Sequence, residues 1–203
     1  MKKLDLKKQL RHLYSPSKKE VVAVDVPEMN FLMVDGAGDP NTAPEFQEAT
    51  EALYGVSYTL KFTMKMGPAQ VDYPVMALEG LWWVEGKEQF SLEARDDWQW
   101  TLMIMQPDII TPDLVDEAVQ KVKEKKDPPA LARLRFEAFE EGRCAQIMHI
   151  GPYAEEGPTI QRIHEFIAEE GHKPRGRHHE IYLGDPRRTK PENLKTVLRQ
   201  PFE

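Results

Sequence analysis

The sequence predicts an α+β fold in which two strand–helix–strand–strand modules follow in tandem, related by a pseudo-two-fold axis. Together they build an antiparallel sheet with helices on one face. Three observations carry this reading. The order strand, glycine-containing turn, amphipathic helix, strand occurs twice. The segment Phe31-Leu32-Met33-Val34-Asp35-Gly36 parallels Gln146-Ile147-Met148-His149-Ile150-Gly151, and Glu79-Gly80-Leu81-Trp82 parallels Glu180-Ile181-Tyr182-Leu183. No low-complexity stretch separates the halves, and Lys125-Lys126-Asp127-Pro128-Pro129 marks their seam. The expected organisation is a basic arm over 1–20 and a single domain over 21–203, its repeats spanning about 21–126 and 127–203.

Each element has a local reason. Met29-Asn30-Phe31-Leu32-Met33-Val34 reads as a strand closed by the turn Asp35-Gly36-Ala37-Gly38-Asp39-Pro40. Thr42-Ala43-Pro44-Glu45 has the form of a capping box, and Phe46, Ala49, Leu53 and Tyr54 recur at helical steps, giving a helix to about Leu60. Strands follow over Val75 to Val84 and Trp98 to Met105, the second with Trp98, Trp100, Leu102 and Ile104 on one face. Thr111-Pro112-Asp113 opens another helix through Leu114, Val115, Ala118, Val119 and Val122. In the second half, Leu134 to Phe139 and Arg143 to Ile150 are expected to form a hairpin across Glu140-Glu141-Gly142. Gly151-Pro152 ends that strand, and Ile160, Ile163, Phe166 and Ile167 mark a helix stopped by Gly171. His178 to Leu183 is the last core strand, and residues 190–199 are expected to add a short helix.

Composition narrows the function classes. With 40% hydrophobic and 30% charged residues, the 203-residue chain can fill a core and is not disordered. Its longest apolar runs, Leu81 to Val84 and Leu102 to Met105, fall far short of the roughly 20 residues of a membrane-spanning helix. The N-terminal residues lack the apolar stretch of a secretory signal, and the lone Cys144 has no internal disulfide partner. The expectation is a soluble cytoplasmic protein with no membrane contact. The net charge of −7 divides into +5 over residues 1–20 and −12 over the remainder. An acidic body repels a phosphate backbone, which argues against nucleic acid as the main partner. Leu4, Leu6, Leu10, Leu13 and Tyr14 are interleaved in the basic arm, so it is read as docking on its own acidic body rather than on DNA or lipid.

The candidate chemistry is aromatic and acidic. Trp82 and Trp83 point to opposite sides of a strand, so one of them alone shares a face with Trp98 and Trp100. These rings either pack the core or wall a slot for a planar ligand. Glu180 is the candidate catalytic acid or base: it lies inside a strand, where an acid is disfavoured, with Tyr182 on its face and Ile181 and Leu183 on the other. That face meets either bulk water or a cleft, and beside aromatic walls desolvation favours the neutral form of a carboxyl. Glu79, by the internal match, is the second acid, and Tyr153 after Gly151-Pro152 is placed to cap the same cleft. No metal or cofactor is expected. His178 and His179 point opposite ways, and Gly36-Ala37-Gly38 lacks the third glycine of a dinucleotide fingerprint.

Four segments together resemble one family. Met29 to Gly36, Glu79-Gly80-Leu81-Trp82-Trp83, His149-Ile150-Gly151-Pro152-Tyr153 and His179-Glu180-Ile181-Tyr182-Leu183-Gly184-Asp185-Pro186 are similar to the gyrase-inhibitor-like (GyrI-like) small-molecule-binding proteins, over roughly residues 20 to 200. The resemblance implies tandem strand–helix–strand–strand modules with an inter-module cleft that takes aromatic or amphipathic compounds against an acidic residue. It also points to a stand-alone branch that hydrolyses cyclopropane-bearing, DNA-alkylating compounds with aromatic walls and a glutamate, which matches Glu180 here. Regulators with this domain carry a separate DNA-binding helix-turn-helix. About 20 residues precede the first module strand here, so a transcription factor is not expected. Two functions remain in view, a detoxifying hydrolase and a binding or sequestering module.

Overall fold

The computed structural model describes residues 1–87, 90 and 95–203. An N-terminal arm carries the short strand β1 (Lys2–Lys3) and two single-turn helices, α1 (Leu6–Gln9) and α2 (Arg11–Tyr14). The first module follows as β2 (Val22–Val26), β3 (Met29–Ala37), α3 (Pro44–Met66), β4 (Val71–Asp72), β5 (Leu78–Val84) and β6 (Trp98–Gln106). Helix α4 (Pro112–Lys125) leads to the second: β7 (Arg135–Phe139), β8 (Gly142–Ile150), α5 (Gly157–Glu169), β9 (His178–Tyr182) and β10 (Lys195–Pro201). Strand β1 pairs in parallel with β4.

The large sheet has the order β2-β8-β10-β9-β5-β6-β3-β7, antiparallel throughout. Read outward from its centre, β5-β6-β3-β7 on one side matches β9-β10-β8-β2 on the other. This is the pseudo-two-fold that the repeated element order predicts, and it passes between β5 and β9. Strands β2 and β3 are joined by two residues yet stand six places apart in the sheet. Three Cα steps reach about 11 Å, whereas six strand spacings in a flat sheet cover about 29 Å. The same holds for β7 and β8. Both links therefore require a curled sheet, a half-barrel whose edges approach each other.

The expected hairpin of residues 134–150 is thus not made: β7 pairs with β3, and β8 with β2 and β10. A tight two-residue link normally signals a hairpin, but here each edge strand is exchanged onto the opposite module. The final segment is a second correction. Residues 191–193 make one 3-10 turn, and 195–201 form strand β10 in the middle of the second module rather than a helix. Helix α3 starts at Pro44 with Ala43 as its cap, one residue later than the capping box requires, so Thr42 caps nothing. It then runs two turns past Leu60 because Leu60 and Met64 continue its buried stripe. Helix α4 begins as expected, with the Thr111 hydroxyl accepting from the Leu114 N–H.

The convex face of the sheet carries the helices. Helix α5 sets Ile160, Ile163 and Ile167 on Ala145, Ile147 and Leu198. Helix α3 lies over β3 and β6, with Gln106 donating to Ser57 and Phe46 against Trp100. Between the two helices lie β5 and β9, at the centre of the sheet. The concave face is closed by the arm, whose Leu6, Leu13 and Tyr14 are buried in the main core. Among the described residues no helix is long and apolar enough to cross a membrane.

Candidate functional site

Strand register decides which residues meet. Across an antiparallel pair, directly opposed residues share a face. Trp82 opposes both Trp100 and His178, Gly80 opposes Glu180, and Leu78 opposes Tyr182. Trp82, Trp98, Trp100, His178, Glu180 and Tyr182 therefore all lie on the helix-covered face, over the seam between modules. Glu79 opposes Ile181, and Leu81 opposes His179. Glu79 and Trp83 thus project from the concave side. The matched Glu-containing strands of the two repeats had suggested related walls for Glu79 and Glu180, but a two-fold normal to the sheet preserves faces. Those two acids are not equivalents.

On the convex side a chain of hydrogen bonds ends on the acid. The Trp82 indole N–H donates to the Tyr182 hydroxyl at 2.9 Å, and that hydroxyl donates to Glu180 Oε2 at 2.8 Å. Gly80 makes this possible, since a Cβ there would sit 2.6 Å from Trp82 Nε1 and 3.1 Å from the Tyr182 oxygen. Burial, reinforced by the Glu180 charge, raises the Tyr182 pKa well above its ordinary value, so the phenol stays a donor. The other carboxylate oxygen, Oε1, lies 3.3 Å from His178 Nε2 outside hydrogen-bond geometry, and neither His178 ring nitrogen has a hydrogen-bond partner among the described residues. Phe90 stacks on His178 with ring centroids 5.1 Å apart and 2° between planes.

The walls are aromatic. Trp98 meets Trp82 edge-on at 5.4 Å, Phe46 stacks on Trp82 at 6.1 Å, and Tyr153 meets Tyr182 edge-on at 5.7 Å. Trp100 lies beneath them, fully buried, its six-membered ring against Gly36. Of the predicted rings, Trp82, Tyr153 and Tyr182 surround the acid, Trp98 extends the wall, and Trp100 supports it from the core. Burial pushes the Tyr153 pKa up to about 12.

A second carboxyl, which sequence reasoning missed, completes the site. Glu156 stands at the start of α5, only 1% exposed, and its Oε1 has no hydrogen-bond partner among the described residues. Burial first, then the neighbouring Glu180 charge, raises its pKa to about 10. A carboxyl so placed favours its protonated form beside Glu180, as like charges in a dry site require. In the sequence, Glu155-Glu156 before Gly157-Pro158 reads as a solvated helix start. Only the seating of α5 on the sheet turns the second of the pair inward.

The concave side holds a different set of charges. The His179 Nε2–H donates to Glu79 Oε2 and its Nδ1–H to Glu141 Oε1, each at 2.9 Å. Arg199 donates to Glu141 Oε2, to the Gln146 side chain and to the Leu13 carbonyl, and the Tyr14 hydroxyl donates to Glu79 at 2.5 Å. Burial alone would lower the His179 pKa, but Glu141 and the two hydrogen bonds raise it to about 9. Burial would likewise raise Glu141, yet His179 and Arg199 hold it at about 2. This network ties the arm to the backs of β5 and β9, the strands whose fronts carry Trp82 and Glu180. Among the described residues no group of three or more His, Cys, Asp or Glu side chains is disposed to hold a metal ion.

Comparison with known proteins follows the same lines. Residues 19–202 match the GyrI-like small molecule binding domain. A solved structure named a hydrolase from Listeria innocua is 42% identical, with TM-score 0.89 and full coverage of both chains. A second Listeria innocua structure, also named a hydrolase, is 39% identical with TM-score 0.86, covering 98% of this chain and 100% of that one. The C-terminal domain of EcmrR, 11% identical with TM-score 0.54 over 91% of this chain and 97% of its own, shares the fold alone. No curated protein sequence matches significantly.

Proposed function

The chain belongs to the GyrI-like small-molecule-binding family, and from that premise we propose that it is a hydrolase of strained, cyclopropane-bearing electrophiles, acting in detoxification through a Glu180-activated water. The observation that carries the reading is the carboxylate of Glu180, held by Tyr182 among aromatic walls and beside the neutral Glu156. The two relatives named hydrolases, similar over the whole chain, support an activity of that class.

In this reading the planar part of the substrate lies against Trp82 and Trp98, where each well-placed ring adds ~0.5–1.5 kcal/mol beyond burial. Glu180 takes a proton from water as the water oxygen bonds to the strained ring carbon. The ring C–C bond breaks, and its electron pair passes to the conjugated acceptor, which takes a proton from solvent; the sum is addition of water. Glu156, which keeps its proton, adds no competing negative charge beside Glu180. General-base assistance of this kind is worth roughly 10²–10⁴-fold, enough for a strained and activated carbon though not for an unactivated amide.

The test is product mass. Purified protein incubated with many equivalents of a cyclopropane-bearing aromatic electrophile should convert all of it to the hydrated, ring-opened product. Recovery of unchanged compound, with one equivalent retained per chain, would instead identify a sequestering protein.

A further inference from the structure

Trp83, turned away from the convex cleft, lines another. An open cleft of about 490 Å³ lies on the concave rim, bordered by Asp35, Trp83, Gln99, Arg133, Arg135 and Arg177. That volume falls in the range of small-molecule sites. Three guanidinium groups gather here on a chain whose net charge is −7.

Among the described residues, two of these arginines lie within ion-pair distance of a carboxylate and the third does not. Arg135 donates to both oxygens of Asp35, at 2.7 and 3.0 Å, and its Nε lies 3.1 Å from Glu137. Arg133 donates to the Asp35 carbonyl and lies 4.0 Å from Glu45. Asp35 is saturated further by the Thr101 hydroxyl at 2.6 Å. Arg177 has its Cζ 3.5 Å from the Trp83 ring centroid and one hydrogen bond, to Thr101 at 3.3 Å. Among the described residues it has no carboxylate within ion-pair distance. Its guanidinium is thus stacked on an indole, which fixes its plane, while most of its donor edge has no partner among the described residues.

We propose that this cleft is a second ligand site, separate from the convex one, which takes a planar carboxylate on the fork of Arg177. The guanidinium presents parallel N–H groups that match two carboxylate oxygens, and Asp35 on Arg135 shows that a carboxylate fits this setting. Partial burial of the guanidinium lowers the Arg177 pKa, Asp35 offsets this, and Arg135 lowers it again.

Benzoate is the probe, titrated into the full chain by calorimetry. One equivalent should bind saturably. Arg177→Gln should weaken binding by about tenfold or more, and Arg177→Lys, which keeps the charge but loses the fork, should also weaken it. Arg177 is exposed, so both variants should keep the wild-type melting curve, and quenching of tryptophan fluorescence by planar ligands of the convex cleft should be unchanged. Absence of saturable benzoate binding, equal binding by Arg177→Gln, or tighter binding of inorganic phosphate than of benzoate would each overturn the proposal.

Discussion

Replacing Glu156 by Gln should stabilise the protein, and by an amount that grows with pH. The folded chain keeps the Glu156 proton to about pH 10, whereas the unfolded chain releases it near the ordinary value of 4.5. Between those limits the unfolded state binds fewer protons, so stability falls as pH rises, by about 1.4 kcal/mol per pH unit. At pH 7 that amounts to about 3 kcal/mol relative to pH 4.5. Gln is neutral in both states and carries no such slope. Urea unfolding at pH 5, 7 and 8.5 should therefore give nearly equal stabilities at pH 5 and a gap opening in favour of Glu156→Gln above it. Parallel curves, or a variant less stable at every pH, would refute a protonated Glu156 beside Glu180.

Other consequences concern the frame around the site. In Gly36→Ala the new Cβ would stand 2.1 Å from the Trp100 ring, which is locked in the core, so a loss of about 1–3 kcal/mol or more is expected in urea unfolding. Tyr14→Phe removes a hydrogen bond to the buried Glu79 carboxylate and should cost about 1.5–3 kcal/mol, with the arm becoming more open to proteolysis. The His179 network adds stability fully present below pH 6.5 and lost as pH rises through about 9, since its folded pKa is the raised one. His179→Gln should flatten that alkaline decline in thermal melts.

Periodicity made the helices legible, because α4 and α5 each bury one stripe in a pattern that depends only on local spacing. Strands β3 and β6, buried on both faces, stand out as near-continuous apolar runs. The curl of the sheet was not legible in this way. Pro27-Glu28 and Glu140-Glu141 look like hairpin turns, and nothing local says that the strands they join belong to opposite edges. Strand β10 was hidden by its polar residues: Arg199 and Gln200 read as surface, yet they are buried through partners as distant as Leu13 and Glu141. Within the site, alternation put Glu180 with Tyr182 and split Trp82 from Trp83. Alternation within one strand does not reveal which face is the cleft, and that required the cross-strand register. The parallel between the two Glu-containing strands misled about Glu79, because a one-residue offset between repeats turns a side chain to the other face. Glu156 carried no sequence signal beyond a helix start.

The central claim is that Glu180 acts as a base and not only as a countercharge. Glu180→Gln preserves shape and can still accept from Tyr182, but cannot take a proton at neutral pH. Single-turnover hydrolysis of a cyclopropane-bearing electrophile, measured beside its dissociation constant, separates the two roles. Binding within a few-fold of wild type, with hydrolysis slowed by roughly 10²-fold or more, is the expected result. Hydrolysis by the variant at the wild-type rate would contradict the account.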